Sequence, residues 1–373
     1  MQKLIALYLP QFHPVKRNNE WWGEGFTEWR NVVKAKPRFS GHHQPQLPAD
    51  LGYYDLRLAE TREKQAAMAK QYGIHGFCYY HYWFNGELLL EQPVEEMLAT
   101  ETPDFPFCMC WANENWTRAW DGMEREVLIK QDYADLNDIT AHVKYLAPYF
   151  LDSRYICVNG RPVFLIYRVD NIPEPKEYIN LFRRHAADHG VPELHLVAVK
   201  NGFVELTDDQ ILSLGFDAIM DFQPNRNDFP KNKKTSSQVL VDSARKLLPN
   251  TVFQSLKVNV SAVNKIDYKQ IVAEKTAHKW PTDYVKYPTV FPSWDNTARR
   301  KTPTVIQNND PDDFRKWLMY AVKSTAAYDS EQQLIFINAW NEWAEGCHLE
   351  PDEAMGKTFL EITRSVMSSK SKL

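Results

Sequence analysis

The stretch Leu4-Ile5-Ala6-Leu7-Tyr8-Leu9-Pro10-Gln11-Phe12-His13 begins with a short apolar run and then turns polar without a glycine. An open doubly wound sheet that binds nucleotides usually has a glycine-rich phosphate turn here, directly after its first strand. That turn is missing, and the G-x-x-x-x-G-K-[ST] pattern of nucleotide triphosphate enzymes occurs nowhere in the chain. The start of the chain therefore favours a closed barrel over an open sheet.

Seven further runs of β-branched and aromatic residues follow, separated by segments with a helical pattern. The eight predicted strands are Leu4 to Leu9, Gly76 to Tyr82, Phe107 to Trp111, Val163 to Tyr167, His195 to Val199, Ala218 to Phe222, Thr289 to Pro292 and Leu334 to Ala339. Predicted helices include Asp55 to Tyr72, Ile179 to His189 and Asp313 to Tyr328. Nearly continuous apolar strands that alternate with helices indicate a parallel sheet covered on both faces. We therefore predict an α/β fold, a single (β/α)8 TIM barrel with long βα loops that forms one domain over residues 1–373.

Three connections between the predicted strands are long, at residues 10–54, 112–161 and 223–287. Long loops in compact domains are usually functional. In a barrel, the loops after the carboxyl ends of the strands build the active site. We therefore expect the functional residues to follow the strands directly or to lie in these loops.

Composition excludes several classes of partner. The 44 basic and 48 acidic residues give a net charge of −4 without a basic field, so nucleic acid is an unexpected partner. No stretch approaches about 18 uninterrupted apolar residues, and the N-terminus lacks a secretory pattern, so we expect a cytoplasmic protein without a membrane span. Five scattered cysteines without C-x-x-C spacing indicate reduced structural thiols, and we expect neither metal nor cofactor. The sequence leaves the oligomeric state open.

Two glutamates in the segment Asn338-Ala339-Trp340-Asn341-Glu342-Trp343-Ala344-Glu345-Gly346 are the candidate catalytic residues. Glycosidic cleavage uses one carboxylic acid that protonates the leaving oxygen and a second carboxylate that acts as nucleophile or base. Glu342 and Glu345 are three residues apart, so a turn after the eighth strand places both on one side of a pocket. Neighbouring tryptophans form a partly apolar surrounding that raises a carboxyl pKa towards neutrality. Glu114 competes for one of these roles, because Asn113-Glu114 is also an Asn-Glu pair at a strand end.

Aromatic side chains are abundant, at 13% of the chain with 12 Trp and 18 Tyr, and they either cover the flat faces of sugars or fill the core. We predict that polar and aromatic residues at the strand ends and in the first long loop bind the carbohydrate. They are Tyr8, His13, Trp22, Glu28, Tyr80, His81, Tyr82, Trp111, Asn113, Glu114, Trp116, Tyr167, Asp221, Trp294, Asp295, Trp340, Asn341 and Trp343. Gln11, Arg168, Gln223 and Arg299 also follow strands, and the sequence assigns them no role.

Six motifs resemble the WbsX-like family, whose members are labelled glycosyltransferases of bacterial surface-polysaccharide and lipopolysaccharide O-antigen clusters. They are Leu7-Tyr8-Leu9-Pro10-Gln11-Phe12-His13-Pro14, Trp22-Gly23-Glu24-Gly25-Phe26-Thr27-Glu28-Trp29, Tyr79-Tyr80-His81-Tyr82-Trp83-Phe84, Trp111-Ala112-Asn113-Glu114-Asn115-Trp116, Phe291-Pro292-Ser293-Trp294-Asp295-Asn296 and Trp340-Asn341-Glu342-Trp343-Ala344-Glu345-Gly346. That family is similar to glycoside hydrolase family 99, the endo-acting α-mannosidases and α-mannanases, which share a barrel and a W-N-E-W-x-E-G segment.

The resemblance implies a retaining reaction through a 1,2-anhydro sugar. Glu342 then takes the proton from the sugar 2-hydroxyl, and Glu345 serves as general acid and afterwards as general base. Three functions stay open from the sequence. The first is a retaining glycoside hydrolase or transglycosidase that acts on a bacterial surface polysaccharide, the second is a sugar-nucleotide glycosyltransferase, and the third is a polysaccharide-binding barrel without turnover.

Overall fold

Eight parallel strands close into a barrel in the computed structural model, which describes residues 2–118, 123–133, 135–191, 193–230 and 263–369. The barrel strands are β1 (Lys3–Tyr8), β2 (Gly76–Phe84), β3 (Phe107–Trp111), β4 (Arg161–Ile166), β5 (His195–Lys200), β6 (Ala218–Asp221), β7 (Lys286–Val290) and β8 (Leu334–Ile337). Each strand pairs in parallel with the next. Pairing of β1 with β8, with Lys3 opposite Leu334, closes the barrel and confirms the predicted (β/α)8 fold.

Ten α-helices are described in these ranges, and most of the longer ones cover the outside of the barrel. They are α1 (Lys16–Trp22), α2 (Trp29–Lys34), α3 (Ala59–Gln71), α4 (Gln92–Thr100), α5 (Leu136–Phe150), α6 (Pro175–Asp188), α7 (Asp208–Ser213), α8 (Tyr268–Ala277), α9 (Pro311–Ser324) and α10 (Thr358–Ser368). Asp310 caps α9 by accepting a hydrogen bond from the Asp312 N–H, and Pro311 is its first residue, two residues before the predicted start at Asp313. No helix in the described ranges is long and apolar enough to cross a membrane.

The strands are buried on both faces, which explains their continuous apolar patterns. Every residue of β3 and of β8 is buried. The predicted seventh strand, Thr289 to Pro292, begins three residues and ends two residues later in the chain than the strand in the structure. Pairing with β6 places Met220 opposite Tyr287, so β7 begins at Lys286 and ends at Val290.

The long connections are partly ordered structure. Residues 112–161 contain a hairpin of Trp116–Arg118 with Met123–Ile129 and then α5. In the third connection, Asn264–Asp267 pairs in parallel with Thr304–Gln307, which also pairs with Trp294–Asp295, while residues 231–262 lie outside the described ranges. This small sheet lies beyond the end of β7.

Candidate active site

A cavity of about 720 Å³ lies at the carboxyl ends of the barrel strands. This end of a (β/α)8 barrel is where active sites are found, and the volume lies in the range of small-molecule sites. Eight of the predicted site residues line the cavity: Tyr80, Tyr82, Glu114, Trp116, Tyr167, Trp294, Glu342 and Glu345. The cavity therefore brings both candidate catalytic glutamates together with aromatic rings from four other parts of the barrel.

The segment after β8 folds back on itself and fixes the two glutamates. Asn341–Glu342 pairs antiparallel with Cys347–His348, and a 3-10 turn over Trp343–Glu345 connects them. Gly346 closes the turn at a φ of 56°, and a Cβ there would lie 2.9 Å from the Cβ of Asp295. Only glycine combines this left-handed conformation with so close an approach. The turn directs Glu342 and Glu345 to the same cavity.

Asn341 joins the ends of β1 and β8. Its side-chain oxygen accepts the Leu9 N–H at 2.8 Å, and its side-chain nitrogen donates to the Leu9 carbonyl at 3.0 Å. Asn341 is fully buried. Its side chain thus replaces the backbone pairing that ends with the two strands, and it supports the segment that carries the two glutamates rather than lining the cavity.

Glu350 supports the segment from behind. Its carboxylate accepts hydrogen bonds from Trp343 Nε1 at 2.6 Å, Gln65 Nε2 at 2.6 Å and the Tyr54 hydroxyl at 2.8 Å. Tyr8 extends this network by donating to Gln65 Oε1 at 2.7 Å. Burial raises the pKa of Glu350 to about 7, although these donors oppose the shift. The predicted site residues Tyr8 and Trp343 belong to this buried network.

Arg299 lines the cavity and lies close to three glutamates, of which Glu342 and Glu345 also line it. Its guanidinium forms an ion pair with Glu345. Burial opposes the charge of Arg299, but Glu345, Glu342 and Glu28 favour it more, so the pKa of Arg299 is raised. One cation therefore balances the charge of one carboxylate in a cluster of three carboxyl groups.

Glu342 is held in its acid form more strongly than an ordinary glutamate. Burial raises its pKa well above the usual value, Glu345 and Glu28 raise it further, and Arg299 opposes them. Its Oε2 atom has no hydrogen-bond partner within the protein. A buried carboxyl with an unmatched oxygen on a cavity wall is arranged to exchange a hydrogen bond or a proton with a ligand.

Glu28 is the third carboxyl of the cluster and does not line the cavity. It precedes α2, is fully buried, and neither of its carboxylate oxygens has a hydrogen-bond partner. Burial raises the pKa of Glu28 to about 7, with Arg299 lowering it and Glu345 raising it. At neutral pH, Glu28 therefore holds a proton for part of the time, which limits the negative charge around Arg299.

Replacing Glu28 with glutamine is expected to reduce the pH dependence of stability. The folded pKa of about 7 exceeds the ordinary value of 4.5, so the folded state retains a proton that the unfolded chain releases. Glu28 thus contributes a loss of stability of up to about 3 kcal/mol as pH rises through this window, and Glu28→Gln lacks this contribution but keeps that of Glu350. Urea unfolding at pH 5 and pH 8 measures the difference. Glu63→Gln, at an exposed position of α3, is the control, and equal pH dependence in wild type and Glu28→Gln would contradict the prediction.

Strand alternation explains why some predicted residues lie elsewhere. Tyr80 and Tyr82 line the cavity, whereas His81 between them points towards α5, with Nε2 2.9 Å from His142 Nε2. Trp111 at the end of β3 donates through Nε1 to the Trp83 carbonyl at 3.3 Å. Neither His81 nor Trp111 lines the cavity, and their contact with substrate stays a prediction.

Other predicted residues stabilise the loops around the site. Asn113 donates to the Tyr133 hydroxyl and the Arg168 carbonyl, each at 2.8 Å. Asp221 pairs with Lys275 at 2.9 Å, and Asp295 accepts Gln44 Nε2 at 2.7 Å. His13 and Trp340 are fully buried, and Trp22 stacks on Phe26 at 5.1 Å between ring centroids. None of these side chains lines the cavity.

Glu114 lines the cavity, but in a different setting from the glutamate pair. Arg168 donates to its carboxylate at 2.5 Å, and its side chain is 40% exposed. The groups that shift the pKa of Glu342 are Glu345, Arg299 and Glu28, and Glu114 is not among them. That Glu114 takes the catalytic role of Glu342 or Glu345 stays an untested alternative.

Several cavity residues were missed by the sequence analysis. Asn201 and Phe203 follow β5, a strand from which no site residue was predicted, and Arg226 follows β6. The rule that polar and aromatic residues after a strand face the site would have found Asn201 and Phe203. Among the described residues, no group of three or more His, Cys, Asp and Glu side chains is placed to hold a metal ion.

The chain is similar to a protein family and to curated proteins over nearly its whole length. A family model described as glycosyltransferase WbsX matches residues 4–363. The chain belongs to the WbsX family. Curated relatives include the WxcX proteins of two strains of Xanthomonas campestris pv. campestris, both described as uncharacterized. Each is 40% identical over 367 residues, which make up 98% of this chain and 49% of the relative. The WbsX-family chain thus spans about half the length of these relatives.

Solved structures support the fold of this WbsX-family chain. The family 99 endo-α-mannosidase of Bacteroides thetaiotaomicron is 16% identical, with a TM-score of 0.56 and coverage of 99% of this chain and 97% of that enzyme. A protein described as glycoside hydrolase-like is 13% identical, with a TM-score of 0.60 and coverage of 98% and 94%. At these identities the likeness establishes the barrel fold alone.

Proposed function

We propose that this protein is a carbohydrate-active enzyme, a retaining glycoside hydrolase or transglycosidase that acts on a bacterial surface polysaccharide. The observation that supports it most directly is the position of Glu342 and Glu345. Both are nearly buried, face one cavity at the carboxyl ends of the strands, and lie beside Arg299. Two carboxyl groups that face one partly apolar pocket are the arrangement that glycosidic cleavage requires.

In the proposed reaction, Glu342 takes the proton of the substrate 2-hydroxyl, whose oxygen attacks the anomeric carbon and forms a 1,2-anhydro sugar. Glu345 donates a proton to the leaving oxygen. Glu345 then takes a proton from water, which opens the anhydro ring at the anomeric carbon with net retention, and Glu342 returns its proton to the 2-oxygen. This assignment agrees with the resemblance to family 99.

Arg299 has a part in this scheme, because the protons must exchange places. Burial raises the pKa of Glu342, and Glu345 forms an ion pair with Arg299. The reaction needs a base at Glu342 and an acid at Glu345. A proton must therefore pass from Glu342 to Glu345 before the reaction begins, and the charge of Arg299 acts on both groups.

The rings around the cavity fit a carbohydrate ligand. Trp116 and Trp294 line it, and aromatic rings of this kind can cover the C–H surfaces of sugars. Burial raises the pKa values of Tyr80, Tyr82 and Tyr167, so these hydroxyls remain neutral hydrogen-bond donors. Neutral donors and aromatic faces match sugar hydroxyls and rings.

Incubation with purified α-mannans and O-antigen polysaccharides tests the proposal, with Glu345→Gln as the matched variant. We expect wild type to release oligosaccharides and the variant to release none. The family description favours a second function, glycosyl transfer from a nucleotide sugar. Product that forms only with a nucleotide sugar supports that function and contradicts hydrolysis, and binding without any product supports a polysaccharide-binding barrel.

A further inference from the structure

Two buried side-chain amides line the cavity and have atoms without a hydrogen-bond partner in the protein. Gln11 is fully buried and lines the cavity, and neither its Oε1 nor its Nε2 has a partner within the protein. Asn338 also lines the cavity and is 1% exposed. Its Nδ2 donates to the Gln223 carbonyl at 2.9 Å, while its Oδ1 has no partner. Buried polar groups are nearly always hydrogen-bonded, so these atoms are available to a ligand or to ordered water in the cavity.

The backbone places these amides beside the catalytic segment. Asn341 binds both backbone groups of Leu9, so the ends of β1 and β8 are held together. Gln11 is the second residue after Leu9, and Glu342 directly follows Asn341. Asn338 is the first residue after β8. Gln11, Asn338 and Glu342 therefore lie in the same part of the cavity.

The unmatched atoms specify the chemistry of the ligand. The amide oxygens of Gln11 and Asn338 only accept hydrogen bonds, whatever the protonation state of Glu342. A ligand must therefore donate to both, while Gln11 Nε2 donates to the ligand in return. A sugar hydroxyl can donate and accept, whereas an ester, an ether or a carboxylate can only accept. A group that only accepts would leave two buried oxygens unmatched.

We propose that Gln11 and Asn338 bind two free hydroxyls of the reacting sugar, in addition to the 2-hydroxyl at Glu342. The subsite then selects a neutral sugar whose hydroxyls are unsubstituted, and it rejects a residue that is O-acetylated or carboxylated at these positions. This inference rests on the proposed function, because that function places the reacting sugar at Glu342.

An O-acetylated bacterial surface polysaccharide that wild type cleaves after mild alkaline de-O-acetylation supplies a matched pair of probes. Oligosaccharides prepared before and after that treatment are titrated calorimetrically into Glu345→Gln protein, which separates binding from turnover. We expect the de-O-acetylated form to bind at least tenfold more tightly. Adding Gln11→Leu to this protein should weaken that binding about tenfold to a hundredfold, since two hydrogen bonds are lost. The same substitution should also remove most of the difference between the two probes.

Two further variants keep the test decisive. Gln11→Glu preserves the volume and replaces the donor with an acceptor, so it should weaken binding even if Gln11→Leu unfolds. Gln131→Leu removes another buried glutamine whose amide atoms lack partners, but which does not line the cavity, and it should leave both affinities unchanged. Thermal unfolding of each variant identifies a loss of fold.

The outcomes separate this inference from the proposed function. Equal binding of the two probes, or equal binding by Gln11→Glu and its parent, overturns the inference and leaves an ordered water as the partner of Gln11. If wild type nevertheless releases oligosaccharides, the proposed function stands. Release of nothing from any polysaccharide, together with no binding to Glu345→Gln, overturns both.

Discussion

Replacing Glu345 with glutamine is expected to lower oligosaccharide release from a polysaccharide by about 10²- to 10⁴-fold, the usual contribution of a positioned general acid or base. Glutamine keeps the size of the side chain but cannot donate the proton that the leaving oxygen needs. The variant should still fold, because the glutamine oxygen can accept a hydrogen bond from Arg299, and Glu342 and Glu28 remain near its guanidinium. Release of reducing ends over time, at saturating polysaccharide, measures the loss.

The leaving group distinguishes the roles of the two glutamates. In a dinitrophenyl glycoside of the same sugar, the dinitrophenolate leaves without being protonated. Glu345→Gln should therefore form the anhydro sugar from this substrate at nearly the wild-type rate. Glu342→Gln should remain inactive on both substrates, because the 2-hydroxyl still needs a base. The reverse pattern, with Glu342→Gln rescued and Glu345→Gln inactive, would assign the acid to Glu342. That assignment would match the raised pKa of Glu342 in this structure.

The barrel was predictable because each strand is buried on both faces and therefore reads as one apolar run. Phe107–Trp111 was predicted to the residue, and the missing glycine turn after Leu9 favoured the closed barrel over the open sheet. Strand ends were less predictable, as Lys286–Val290 shows, because pairing with a neighbour and not hydrophobicity sets the register. Ion pairs and loop hairpins depend on contacts across the barrel that no local pattern contains.

The glutamate pair was predictable from its place after the eighth strand, whereas its electrostatic partners were not. Arg299 is 43 residues before Glu342, and Glu28 lies in the first long loop. Glu28 comes close to Glu342 because α2 packs beside the turn at Trp343–Glu345. There the ring centroids of Trp29 and Trp343 lie 5.4 Å apart. His81 was predicted as a site residue together with Tyr80 and Tyr82. Side chains alternate between the two faces of a strand, so His81 points towards α5 instead.

Replacing Arg299 with leucine is expected to cost about 3–5 kcal/mol of stability at neutral pH, because it leaves a buried carboxylate without its partner. Arg299 lowers the pKa values of Glu28 and Glu342, so its loss raises both. The folded variant then retains protons to higher pH than wild type does, and it loses stability over a longer range as pH rises. The cost should therefore be smaller at pH 5 than at pH 8, which urea unfolding at the two values measures.

Arg299→Lys and the double variant Arg299→Leu with Glu28→Gln serve as the controls. Lysine restores the charge without the planar guanidinium, so it should recover most of the stability but little of the activity. Glu28→Gln removes one of the two carboxyls whose pKa values rise, so in the Arg299→Leu background it should reduce the extra loss between pH 5 and pH 8. A cost for Arg299→Leu that is the same at both pH values, with or without Glu28→Gln, would show that Arg299 acts through packing and not through the charges around it.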